Sequence, residues 1–292
     1  MSKRALSIIV ILMIVAGLSL LLYPTVSDYV KSMGYRRAIS DYISAVEPMD
    51  GGDYAQMLEA ARAYNERLAE KSGFTLSLSE EELAEYNSLL APDGTGVMGY
   101  VSVPKVGVSL PIYHGTSDEV LQNGVGHLEG SSLPIGGPDT HAVLSGHTGL
   151  PSARLFTDID RLVEGDTFTV QVLKETLTYQ VDQITVVLPY EMDALEIEAG
   201  EDYCTLLTCT PYGINTHRLL VRGRRVPEAS SVTVEEAPDN GSFYDLSEAW
   251  RLPVIAVLAL AVLVMALLLW GRKRKRGKNQ KNETFSQDPP GV

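Results

Sequence analysis

The sequence predicts a mostly β domain closed into a barrel, preceded by a helical extension and held between two membrane-spanning helices. Three observations carry that prediction. From Val97 to Arg224, short runs rich in Val, Ile, Leu, Thr and Tyr are separated by Gly, Pro, Asn and Asp. Before them, residues 28–90 repeat apolar side chains at helical spacing. At either end, Leu6–Tyr23 and Leu252–Trp270 are apolar runs near the roughly 20 residues that cross a hydrocarbon core.

Composition narrows the class. Of 292 residues, 45% are hydrophobic and 21% charged, so the chain has enough apolar material to fold. With 25 Gly, 15 Pro and only 2 Cys, it is neither collagen-like nor disulfide-dense. The net charge is −13, and the segment between the apolar runs holds 15 basic against 35 acidic residues, a balance of −20. Nucleic acid is therefore not an expected partner.

The first run, 6–23, follows Lys3 and Arg4 and is interrupted only by Ser and Gly. A cleaved signal peptide competes with a span here, but the run is long for one and no A-x-A site follows. The second run, 252–270, has no charge, places Pro253 in its first turn, and lies between Trp250 and Trp270. Arg272–Arg276 follow it. The positive-inside rule puts residues 1–5 and the basic tail 271–292 in the cytoplasm, with residues 24–251 outside.

Residues 24–92 read as a helical extension. Arg36–Val46 has no breaker, and Asp53–Ala69 spaces Met57, Leu58, Ala61 and Tyr64–Leu68 near a 3.6 period. Ser79 before Glu80, Glu81 and Glu82 is a hydroxyl cap with acids in the first turn, predicting a helix to Leu90 that Pro92-Asp93-Gly94 stops. Strands are predicted at Val97–Val103, Val106–Ile112, Thr140–Ser145, Asp166–Leu173, Leu177–Leu188, Tyr203–Cys209 and Arg218–Arg224. Seven or eight strands within residues 93–226 predict a closed barrel, since closure removes sheet edges. Gly115–Gly126 and Ser152–Leu162 read as crossovers, and 227–251 as an acidic linker.

The two cysteines lie in one predicted strand. Five residues at roughly 3.3 Å each put Cys204 and Cys209 about 17 Å apart on opposite faces, beyond the roughly 7 Å a disulfide tolerates. A free thiol in an exported chain is a candidate nucleophile. Cys204 sits within Tyr203-Cys204-Thr205-Leu206 and reads as a small buried hydrophobe. Cys209 ends its run before the turn Thr210-Pro211-Tyr212-Gly213, and Arg218 opens the next strand. A cation facing a thiol favours thiolate and can hold a developing oxyanion; a structural Cys and a solvated Arg is the competing reading. The five histidines are His114, His127, His141, His147 and His217; His147 lies in Leu144-Ser145-Gly146-His147-Thr148-Gly149, at a strand end between glycines, and the residues alone do not choose among the five. No Cys/His spacing matches a zinc site, and no cofactor is expected.

Thr205-Leu206-Leu207-Thr208-Cys209 resembles the T-L-x-T-C signature of sortases, membrane-anchored cysteine transpeptidases of Gram-positive bacteria. Thr208 to Val221 is similar to class C, the pilus-assembling branch. Val97-Met98-Gly99-Tyr100-Val101 through Pro104-Lys105, Leu110 to Thr116, and Leu144 to His147 match it in order and spacing, so the resemblance covers about residues 30–225.

The resemblance implies an eight-stranded barrel with Cys209 as nucleophile, His147 as general acid/base and Arg218 as oxyanion or substrate-positioning cation. It also implies Thr208 beside the thiolate, with Thr205 and Leu206 as further substrate contacts. The implied substrate is an LPXTG-bearing pilin or surface protein, and the acceptor an amine, from a pilin lysine or a wall precursor. A sorting-signal-binding protein without catalysis is the third alternative. Class C members carry an Asp-Pro-aromatic lid; here the matching stretch is Ser72–Ser79, leaving Phe74 as the candidate plug. Leu252-Pro253-Val254-Ile255-Ala256 resembles a sorting signal, but Ile255 and Ala256 replace its Thr and Gly, so the chain is not a typical substrate.

Overall fold

The computed structural model describes residues 3–71 and 78–227. Phe74, the linker 227–251 beyond its first residue, the second apolar run and the basic tail lie outside the described residues.

Helix α1 runs without interruption from Lys3 to Val46, passing through Pro24. Met1–Leu22 belong to a unit distinct from the one that begins at Tyr23. Within α1, the most apolar 18-residue window has a mean hydropathy of 2.4 and no buried residue. Leu20 and Leu21 are 77% and 74% exposed. This is one helix long and apolar enough to cross a membrane, a candidate anchor or signal.

From Tyr23 onward the helical extension and the barrel are one unit. Helix α2 (Gly51–Ala69) is capped by the Asp50 carboxylate, which accepts from Gly52 and Asp53, and turns Leu58, Ala61, Tyr64 and Leu68 inward. Helix α3 (Glu80–Ser88) begins with the predicted cap: Ser79 Oγ accepts from Glu82 N while the Glu82 carboxylate accepts from Ser79 N. It ends two residues earlier than expected, where Leu89 is extended and Leu90 is left-handed at φ 51°.

Three buried polar side chains tie the extension to the barrel. Tyr42 donates to the Met98 carbonyl at 2.9 Å and accepts from Leu173 N at 2.6 Å. Asn65 pairs with both backbone groups of Leu133, at 3.0 and 2.7 Å. Tyr86, fully buried on α3, accepts from Gly115 N at 3.0 Å and lies 2.9 Å from His127 Nδ1. Because Tyr42, Ala61 and Tyr86 share one hydrophobic core with barrel residues such as Met98 and Ile112, the extension is structural, not an appended arm.

Eight strands close the barrel: β1 (Val97–Val103), β2 (Val108–His114), β3 (Val125–His127), β4 (Thr140–Ser145), β5 (Thr167–Val172), β6 (Glu175–Val187), β7 (Asp202–Thr210) and β8 (His217–Arg225). They neighbour one another in the order β1-β2-β3-β4-β7-β8-β6-β5. Seven match the predicted strands within two residues. The eighth, β3, falls at the end of the predicted Gly115–Gly126 crossover, after the short helix α4 (Asp118–Asn123). Its middle residue, Gly126, approaches so closely that a Cβ would sit 2.3 Å from the Gly115 carbonyl oxygen.

Candidate active site

The site is assembled by β7, which lies between β4 and β8. Side chains alternate along it. Cys204 and Leu206 turn into the main core, whereas Leu207 joins an outer cluster with Val143, Leu195 and Leu220. Cys209 follows Leu207 by two residues and shares its outer face. Across the antiparallel β7/β8 ladder, Cys209 is directly opposite Arg218. Strand β4 runs parallel to β7 with Ser145 opposite Leu207, so the chain leaving β4 enters Gly146-His147 beside the end of β7.

The His147 turn is fixed before its side chain is considered. Gly146 N donates to the Leu207 carbonyl at 3.0 Å, and Thr208 Oγ1 donates to the Gly146 carbonyl at 2.7 Å. Phe156 N donates to the His147 carbonyl at 3.1 Å, and its ring would lie 2.7 Å from any Cβ on Gly146. Only glycine fits there. On the other side, Arg218 Nη1 donates to the carbonyls of Asn215 and His217, at 3.3 and 3.1 Å. None of the ion pairs among the described residues includes Arg218, which leaves its charge available to a ligand.

Cys209, His147, Arg218 and Thr208 line one cleft of about 320 Å³. Thr116, Leu121 and Leu128 form one wall, and Val187 to Leu195 the other. That second wall was absent from the sequence reading. It is the β6/β7 loop, held down at its far end by His141, whose Nδ1–H donates to the Glu196 carbonyl at 2.9 Å. Nearby, Arg222 pairs with Asp182 and Glu198, each at 2.9 Å, and stacks 4.0 Å from the Tyr203 ring centroid. Leu188, Pro189, Met192 and Leu195 set among the acids of this interstrand segment were its local signal.

Two expectations need correction. Thr205 is 1% exposed and sits 2.7 Å from His141 Nε2, so it braces the loop's anchor from below and contacts no cleft. Leu206 is fully buried on the interior face, where alternation must put it once Leu207 faces out. Thr208 borders the cleft beside Cys209, and its hydroxyl donates to the Gly146 carbonyl next to His147. Cys204 is fully buried, and burial pushes its thiol well above the ordinary range. No group of His, Cys, Asp and Glu among the described residues could hold a metal ion.

A soft nucleophile, an imidazole and an unpaired guanidinium around one cleft are the parts of nucleophilic acyl transfer. A family model described as the Sortase domain matches residues 101–226. Sortase D of Bacillus subtilis is 26% identical over 174 residues, 59% of this chain and 83% of that protein. Sortase A of Bacillus anthracis is 25% identical, covering 76% of this chain and 94% of its own. Among solved structures, sortase C1 of Streptococcus agalactiae is 57% identical with a TM-score of 0.64, covering 65% of this chain and 98% of that one. Sortase C-1 of Actinomyces oris is 46% identical with a TM-score of 0.55, over 59% and 97%. With a closed eight-stranded barrel, a free cysteine on its outer face, and class C members among its structural neighbours, the chain belongs to the sortase family of cysteine transpeptidases.

Proposed function

We propose that this chain is a membrane-anchored sortase that cleaves an LPXTG-type sorting signal between Thr and Gly and transfers the acyl group to an amine, a lysine of a pilin subunit. The observation that carries the reading is Cys209 paired across the ladder with Arg218, with His147 in the same cleft. In this reading residues 6–23 and 252–270 both span the membrane, residues 93–226 catalyse outside it, and Phe74 belongs to a lid.

The Cys209 thiolate adds to the threonine carbonyl carbon. The oxygen gains negative charge, and Arg218 stabilises it. As the C–N bond breaks, His147 gives its proton to the departing glycine amine, leaving a thioester on Sγ. A neutral amine then adds to the same carbonyl, its proton passes to His147, and the C–S bond breaks to return the thiolate. Aminolysis wins over hydrolysis because the amine is held in place while water is not.

The test is intact-mass measurement of the full chain in detergent micelles with an LPXTG-type peptide. The expected result is an acyl adduct on Cys209 that hydroxylamine removes. No adduct with any of a panel of sorting pentapeptides would overturn the proposal.

A further inference from the structure

The barrel closes incompletely along β6. Strand β5 pairs only with Glu175–Gln180, and the turn before β5 adds bonds to Val181. Strand β8 continues alongside β6 to Val187. Among the described residues, Asp182–Val187 therefore has a neighbouring strand on one side and no backbone or side-chain hydrogen bond on the other. Ile184 and Val186 on this stretch are 37% and 56% exposed, and Tyr190 beyond it is 76% exposed. An open row of N–H and C=O groups with apolar side chains is a template for an added strand. A bulge between Val181 and Gln183 marks its lower limit.

The upper limit is the cleft. Val187 lines it and is opposite Arg218, which is opposite Cys209, so the free edge ends in the same row as the nucleophile. Beside it, Asp182 and Glu198 are paired with Arg222 of β8 and Glu201 with Arg224, whereas Glu191 on the cleft wall and the exposed Asp193 and Glu196 have no ion pair among the described residues, leaving an acidic surplus next to the edge. A cationic strand is complementary to that surface, whereas a second copy of this acidic chain is not.

We propose that the free edge of β6 docks an extended, lysine-bearing segment of the protein that supplies the acceptor amine. The inference rests on the transpeptidase reading above. A strand added to β6 lies three strand spacings from β7, roughly 14 Å. Two or three further extended residues at roughly 3.3 Å each, together with the lysine stem, cover that distance. The acceptor lysine accordingly sits a few residues past the paired stretch. There its neutral amine adds to the thioester carbonyl, its proton passes to His147, and the C–S bond breaks.

The experiment uses the full chain in micelles, first loaded with the sorting peptide and then given one of three acceptors. These are glycine amide, an alternating Val/Thr peptide ending in lysine, and the same peptide with alternate backbone amides N-methylated. The expected result is at least a tenfold higher kcat/KM for the strand peptide than for glycine amide, lost on N-methylation. Val186→Lys and Ile184→Lys are expected to lower reaction with the strand peptide about tenfold, leaving thioester formation and hydroxylamine release within twofold. Equal rates for methylated and unmethylated peptides would overturn the proposal. So would a dimer in sedimentation that Val186→Lys dissociates, since the edge would then hold a second copy. Absence of any thioester is a different failure, that of the transpeptidase reading itself.

Discussion

Two cysteines on one strand and two histidines, one on β3 and one in the turn after β4, divide the molecule into a silenced region and an available one. Cys204 and His127 are fully buried. Cys209 and His147 are half-buried and line the cleft. The chemical groups are the same in both regions, so the difference is environment. Around His127, Tyr86 O–H meets Nδ1 at 2.9 Å and Nε2–H donates to the Ser132 carbonyl at 2.8 Å, which fully satisfies a neutral ring. Burial then drives its pKa down to about 4. Around the cleft, the hydrogen bonds that fix the His147 turn go through backbone groups and the Thr208 hydroxyl, and the Arg218 guanidinium donates to backbone carbonyls.

The contrast is sharpest in the thiols. Cys209→Ala is expected to abolish thioester formation, whereas Cys204→Ala keeps it and costs on the order of 1 kcal/mol in stability from a small cavity. Native-state alkylation followed by peptide mapping should modify Cys209 and spare Cys204 until the protein is unfolded. Equal labelling of both would erase the distinction. Next in size, Arg218→Ala is expected to lower kcat about 10²–10³-fold, as loss of an oxyanion donor does. A Lys at 218 should restore only part of this, because it lacks the planar fork.

The buried histidine gives a pH signature. The folded pKa of His127 is lowered to about 4, below the ordinary 6.5, so the unfolded chain binds the extra proton between these values. Stability is full above about pH 6.5 and falls as the pH drops toward 4, by on the order of 3 kcal/mol. His141, also lowered by burial, works in the same direction. Asp202, whose carboxyl burial raises, works in the opposite direction at lower pH. Urea midpoints at pH 7 and pH 5 check this, and His127→Gln should flatten the difference. A midpoint unchanged with pH in the parent protein would show that the ring is not held neutral.

Smallest is the effect of the hydrogen bond from Thr208 to the Gly146 carbonyl. Thr208→Val leaves the Gly146 carbonyl without its donor, an expected loss of about 1–3 kcal/mol. If the hydroxyl positions the His147 turn, kcat should fall several-fold with little change in KM, and Thr208→Ser should recover it. A rise in KM alone would instead assign Thr208 to substrate contact.

The extension shows how far local signals reach. Ser79 with its three glutamates specified the start of α3 to the residue, because a cap is a contact between near neighbours. That Tyr86 would enter the barrel beside His127 had no such signal, since the two are 41 residues apart. Strand β3 was missed for a related reason. Three residues with a central glycine show no alternation, and β3 exists only because β2 and β4 pair on either side of it.

By itself the sequence determined the strand-rich middle, seven of its strands and the helical extension, and its T-L-x-T-C resemblance singled out Cys209, His147 and Arg218 as candidates. These are properties of periodicity, turn chemistry and short motifs, all written within a few residues. Tertiary structure alone decided that Cys209 faces out while Leu206 faces in, that Thr205 braces the loop anchor and not a substrate, and that residues 187–195 wall the cleft. It also left the edge of β6 without a second strand among the described residues. Each of these depends on which strand lies next to which, and strand neighbours in a closed barrel are set by burial and pairing between segments far apart in the chain.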